Sequence, residues 1–254
     1  MWELYDAMIE AIPEDMVVDE VICGTYFSYV RSGEGAGIAR SALDFDTRMP
    51  IYTKKLMGAP LKEVAACIKS WNLLEASIGG AAINAYYNNP WVAKKNGVEY
   101  VEGKHVEDRM HDPFIMAQNE VRGKKVTIIG HFPYIDKLLE PICDLSILEW
   151  QPEEGEFPMT ACEYLLPESD YVYISATSVV DKTLPRYLEL SKNAKRVTLV
   201  GPGTPLDPSL FSYGIHDLSG FLITDTQHAS LIIAGAERVK LSCAGQKTSL
   251  KGGG

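Results

Sequence analysis

Four short apolar runs in the C-terminal half each lead into residues that can bind or act on a small molecule. Val126-Thr127-Ile128-Ile129 is followed by Gly130-His131-Phe132-Pro133, and Leu145-Ser146-Ile147-Leu148 by Glu149-Trp150. Tyr171-Val172-Tyr173-Ile174 is followed by Ser175-Ala176-Thr177-Ser178, and Val197-Thr198-Leu199-Val200 by Gly201-Pro202-Gly203-Thr204-Pro205. One glycine- or hydroxyl-bearing loop is ordinary turn chemistry. Four in succession, each where a strand should end, predict a ligand site, because open α/β sheets bind beyond the carboxyl ends of their strands.

His131 directly follows the first run and is the one acid–base candidate, since an imidazole titrates near neutral pH. Phe132 offers a face on which a flat ring could stack. Pro133, at a helix start, leaves free N–H groups that suit an anion or a carbonyl. Glu149 lies 19 residues past Gly130, the usual distance to an acid that binds a ribose diol. The G-x-G-x-x-G fingerprint is missing, so this corner resembles that of Rossmann-like methyltransferases without their glycine signature. Thr177 and Ser178 either line the pocket or only turn the chain, and Thr183 reads as the N-cap of a helix from Leu184. There is no G-x-S-x-G elbow to make either serine a nucleophile.

The elements that would position these groups follow from periodicity. Short apolar runs alternating with helical segments at 133–140, 159–166, 184–192 and 226–236 imply a mostly parallel sheet with helices on both faces. Further strands are expected near Ile215-His216-Asp217-Leu218 and Val239-Lys240-Leu241. The N-terminal part reads differently. A helix over residues 2–12 stops at Pro13. β-branched and aromatic stretches on either side of Gly24 read as two short strands or one bent strand, with a further strand expected within residues 37–43. Pro60 opens a helix, and Asn72 with Glu75 three residues on reads as a capping box for another. The small residues Gly79 and Gly80 imply close packing of that helix, or room for a ligand or the other unit. Residues 88–122 are polar and read as a connector holding one helix near residues 113–120. The boundary falls there, giving an α+β unit over residues 1–110 and an α/β unit over residues 111–254.

Composition narrows the partners. The 254 residues carry a formal net charge of −10, which repels phosphate backbones and anionic membrane surfaces. No apolar run approaches the ~20 residues of a membrane span, and the N-terminus lacks the pattern of a signal peptide. The five scattered cysteines form no CxxC and no disulfide framework, as expected in a reducing cytoplasm. His105 and His111 sit among Glu107, Asp108 and Asp112 without the spacing of a metal signature, and a solvated charged segment is expected there. The oligomeric state stays open.

The order of the Gly79-to-Asn84 helix, Gly130-His131-Phe132-Pro133, Glu149, residues 175–183 and Gly201-Pro202-Gly203-Thr204-Pro205-Leu206 resembles the “putative heavy-metal chelation” family of anaerobic prokaryotes. The resemblance covers nearly the whole chain. It implies an enolase N-terminal-like domain followed by a Rossmann-like domain, with a site between them. It implies a role in the condensation or hydrolysis of pterin-, flavin- or siderophore-like chelators. Carried over by motif, the pocket positions are Asn84, Gly130, Phe132, Glu149, Thr177, Thr183, Gly201, Pro202, Thr204 and Gly220. The sequence departs from the family pattern at Ser175-Ala176, where Thr-Gly is usual, and at Asp181-Lys182-Thr183, where Asn-Gly-Thr is usual. Three functions are expected on these grounds: a binder or enzyme for a chelator-like molecule, an S-adenosylmethionine- or nucleoside-dependent transferase, and a non-catalytic metal-binding protein. A metal ion, an adenosine-type ligand and a pterin-type ligand are all open as cofactors.

Overall fold

The computed structural model describes residues 2–42, 48–101 and 111–253. The apolar stripe of α1 (Glu3–Glu10) buries Leu4, Tyr5, Met8 and Ile9. β1 (Glu20–Cys23), β2 (Phe27–Ser32) and β3 (Gly35–Arg40) then form an antiparallel sheet in sequence order, Val21 pairing with Val30 and Tyr29 with Ile38. The third strand starts two residues earlier than its glycines suggest.

Behind this sheet lie α2 (Leu61–Ala65) and α3 (Leu73–Tyr87). Asn72 caps α3 by accepting the Glu75 N–H at 2.8 Å. The reciprocal half of the capping box does not form. The Glu75 carboxylate instead accepts the N–H groups of Ile51 at 2.9 Å and Tyr52 at 2.7 Å, which satisfies a buried charge. α3 is buried almost all round, as its small residues require. A Cβ on Gly79 would fall 2.1 Å from the Ile68 nitrogen, and Gly80 faces Ala39 and Val180. The glycines make room for backbone and for the second sheet's helix. α4 (Pro90–Lys95) forms inside the stretch whose polarity suggested a connector, because Asn89 caps it by accepting the Trp91 N–H at 2.9 Å. α5 (Pro113–Ala117) follows, capped by Asp112.

The second sheet contains β4 (Lys125–Ile129), β5 (Asp144–Glu149), β6 (Phe157–Pro158), β7 (Tyr171–Ser175), β8 (Arg196–Val200), β9 (Asp217–Ile223) and β10 (Gly245–Lys251). Their order is β10-β9-β8-β7-β4-β5-β6. Every neighbouring pair is parallel except β10 with β9. α6 (Ile135–Leu139), α7 (Cys162–Leu165), α8 (Thr177–Asp181), α9 (Leu184–Leu190) and α10 (Thr226–Ile233) connect and cover the strands. The last strand forms not at the apolar Val239-Lys240-Leu241 but beyond it, and its polarity hides it in the sequence. Gln246 and Thr248 of β10 are buried because they bond a passing segment. Gln246 takes both the N–H and the carbonyl of Val101, at 3.0 and 2.8 Å, and Thr248 donates to the Glu99 carbonyl at 3.0 Å. The sheet edge is thereby covered.

The apolar core runs unbroken between the two sheets, joining Leu4, Val30, Ala39 and Ile83 to Val180, Leu206 and Leu222. Three amides reinforce it. Asn84 Nδ2 donates to the Gly203 carbonyl at 2.8 Å, and Asn96 Nδ2 to that of Leu206 at 3.3 Å. Asn88 donates to the Thr204 and Phe221 carbonyls at 3.0 and 3.1 Å and accepts the Leu206 N–H at 3.0 Å. No described helix is long and apolar enough to cross a membrane.

Candidate functional site

From β4 the chain builds outward through β5 to β6, and from β7 it builds the opposite way through β8 to β9. The strand order therefore reverses between β4 and β7, which opens a crevice beyond their carboxyl ends. Gly130 ends β4 at φ 104°, and a Cβ there would meet Ser175 Cβ at 3.0 Å. Glycine thus lets the two strand ends close together. At this point lies a cleft of about 300 Å³.

The cleft gathers Gly130, His131, Phe132, Glu149, Thr177, Ser178 and Thr183 from the positions read in sequence. Glu149 spans the ends of two strands, Oε2 accepting the His131 N–H and Oε1 the Trp150 N–H, both at 2.8 Å. His131 is exposed, and its Nδ1 is bound to Glu156 Oε1 at 2.6 Å. That carboxylate holds the imidazole pKa above its ordinary value. Phe132 leans on Phe114 with ring centroids 5.1 Å apart. Ser175 Oγ donates to Thr177 Oγ1 at 3.2 Å. The buried Ser178 hydroxyl has no hydrogen-bond partner among the described residues. Thr183 stands at the start of α9, but its hydroxyl makes no cap. It donates to Asp181 Oδ1 at 2.5 Å instead, and its N–H reaches the same oxygen at 3.0 Å.

The other positions lie elsewhere. Asn84 is fully buried at the seam between the sheets, its amide given to the Ile38 and Gly203 carbonyls. Gly201, Pro202 and Thr204 belong to the loop that this seam grips, and Gly220 sits in β9 against the Thr204 carbonyl. None of these five lines the cleft.

Arg40, Ile129, Trp150, Met159, Ser175, Asp181 and Tyr187 complete the lining. Arg40 arrives from the end of β3, and no local pattern announces it, because only the packing of the two sheets brings it there. Asp181 closes α8, a helix too short to show periodicity. Burial pushes the Asp181 carboxyl up, opposed by the Thr183 donors and Lys182. Burial likewise pushes the Tyr187 hydroxyl up to about 12. Lys182 follows at φ 66°, where a side chain costs energy. Its Nζ is held by the Ser70 carbonyl and lies 5.3 Å from the Trp71 ring centroid.

His105, Glu107 and Asp108 lie outside the described residues, so the pairing of His105 with His111 does too. Among the described residues no three His, Cys, Asp or Glu side chains are gathered so that they could hold a metal ion.

The chain is similar to known proteins over its full length. A crystal structure of a protein of unknown function from Desulfitobacterium hafniense DCB-2 is 60% identical, with a TM-score of 0.91, covering 99% of this chain and 98% of that one. A second, from Pyrococcus horikoshii, shares the fold at 21% identity, with a TM-score of 0.81 and 98% of each chain covered. An uncharacterized protein of Methanocaldococcus jannaschii is 29% identical over an alignment of 180 residues, with 68% of this chain covered. The match spans 64% of that relative's length, less than two thirds of it. Residues 5–87 and 112–249 match two family profiles that carry one description. With more than half of its length matched, the chain belongs to the family described as “Putative heavy-metal chelation”.

Proposed function

We propose that the cleft binds a small heterocyclic or chelator-like organic molecule, and that His131 supplies acid–base chemistry to its condensation or hydrolysis. The observation that carries this reading is the position of the cleft at the reversal of strand order between β4 and β7. Hydroxyls of Ser175, Thr177, Ser178 and Thr183 furnish directional contacts, and Phe132 and Trp150 furnish flat apolar surface. Apolar walls with a few convergent polar groups are what small-molecule sites require. Glu156 fixes the His131 ring through Nδ1, and Nε2 has no hydrogen bond among the described residues, which suits it for proton exchange. The scattered metal-ligating side chains favour an organic chelator over a metal gripped by protein alone.

The test is native mass spectrometry of freshly purified protein beside denatured spectra and elemental analysis. A copurified organic mass, lost in Trp150→Ala, supports the reading. Stoichiometric metal without an organic partner overturns it in favour of a metal-binding protein.

A second reading, a nucleoside or S-adenosylmethionine site, is favoured by Glu149 at the end of the strand next to β4. Calorimetry with S-adenosylmethionine decides it. Submillimolar binding that fails in Glu149→Ala supports this reading, and no affinity for adenosine compounds removes it.

A further inference from the structure

Besides the Tyr187 phenol, whose pKa burial pushes up to about 12, four side chains lining the cleft carry or can carry charge, and two of them are already committed. His131 is bound to Glu156, and both oxygens of Glu149 accept backbone N–H groups. Arg40 and Asp181 differ. Arg40 is exposed, stacks 4.9 Å from the Tyr26 ring centroid and donates Nη1 to the Tyr26 carbonyl at 3.2 Å. Both contacts hold the guanidinium in place, and neither neutralises it. Asp181 receives both Thr183 donors on Oδ1, which leaves Oδ2 without a hydrogen bond among the described residues. Among the described residues neither side chain forms a salt bridge and they are not paired with each other, although the neighbouring Lys182 ammonium favours the Asp181 carboxylate.

One wall, from β3, thus offers an uncommitted guanidinium, and another, from α8, an uncommitted carboxyl. Resting on the reading of the cleft as a small-molecule site, we propose that its ligand is an amino-carboxylate zwitterion. Its carboxylate sits on Arg40 and its protonated amine on Asp181 Oδ2. A singly charged carboxylate fits the planar fork of one arginine. A dianionic phosphate would face Asp181, Glu149 and a chain of net charge −10, which disfavours it. Phe132, Trp150 and Met159 receive the apolar body of the molecule. The site is incomplete without both sheets, because Arg40 is the lining residue that comes from the first.

Asp181 is also well placed to report occupancy. Tyr5 of α1, Tyr187 and Thr183 of α9, and Lys182 surround it, with Arg40 and Glu149 elsewhere on the cleft wall. Burial disfavours its ionised form, and an ammonium on Oδ2 restores it.

The test uses three probes that share one phenyl body: L-phenylalanine, phenethylamine and 3-phenylpropanoate. Their dissociation constants are measured by calorimetry on the full chain, freed of any copurified molecule. Phenylalanine is expected to bind at least ten-fold more tightly than either singly charged probe. Arg40→Gln removes its advantage over phenethylamine, and Asp181→Asn removes its advantage over 3-phenylpropanoate. Arg40 is exposed, so Arg40→Gln keeps the test decisive even if Asp181→Asn fails to fold. A singly charged probe that matches phenylalanine on the wild-type chain overturns the zwitterion, and so does the failure of all three to bind. The cleft reading fails separately, if Trp150→Ala copurifies the same organic mass at wild-type occupancy.

Discussion

The Glu149 carboxylate accepts the backbone N–H of His131 at 2.8 Å, tying the end of β5 to the end of β4. Its other oxygen accepts the Trp150 N–H, so one side chain shapes both loops at the mouth of the cleft. Hydrogen bonds to a charged acceptor are each worth about 1.5–3 kcal/mol, less where water competes. Glu149→Ala is expected to lower stability by roughly 1–2 kcal/mol in urea titration. Glu149→Gln, which keeps one acceptor oxygen, is expected to fall between Ala and wild type.

His131 makes stability depend on pH. Its hydrogen bond with Glu156 raises the imidazole pKa above 6.5 in the folded chain. A group whose pKa is raised by folding stabilises fully below its unfolded value, and the contribution disappears as pH rises through the folded one. Stability is therefore expected to decline from just below pH 6.5 upward, and His131→Ala to flatten that decline. Imidazole resonances followed by NMR check the cause, since Glu156→Gln should return His131 toward 6.5.

Asn88 is the most consequential side chain at the seam. It is buried and satisfies three backbone groups, those of Thr204, Leu206 and Phe221. Asn88→Ala leaves these groups unpaired and dry, at a cost of about 3 kcal/mol or more. Chemical denaturation measures it, and a loss below about 1 kcal/mol would show that water replaces the amide.

Lys182 separates backbone strain from side-chain contact. At φ 66° any residue with a Cβ pays roughly 1–2 kcal/mol. Ala and Gly both lose the Ser70 and Trp71 contacts, but only Gly escapes the strain. Lys182→Gly is expected to be about 1 kcal/mol more stable than Lys182→Ala in thermal melts.

The parallel sheet was legible because β4, β7 and β8 are buried on both faces and read as unbroken apolar runs. The loops after β4 and β7 were legible for the same reason, since the end of a buried run marks where the chain leaves the sheet; the half-buried β5 was legible from its apolar residues alone. β10 was not, because Gln246 and Thr248 are buried through partners more than a hundred residues away. Arg40 and Tyr187 were hidden in the same way, since neither lies in a loop at the end of a strand of the parallel sheet. The loop after β8 carries the same glycine and hydroxyl types as its neighbours. Its backbone, however, is engaged by Asn84 and Asn88, a relation between distant segments that no local pattern encodes.

The amides of α3 and of the turns that end α3 and α4 also bear on how the proposed ligand would exchange. Asn84, Asn88 and Asn96, bonded across the seam, tie the described parts of the two sheets together. If the cleft takes up a ligand as proposed, admission falls to the exposed Trp150 side chain at its rim, whose rotamers turn over in picoseconds to nanoseconds rather than the microseconds to milliseconds of moving domains. Uptake should then be a single kinetic phase whose rate rises linearly with ligand concentration, without the plateau that a slow opening step imposes.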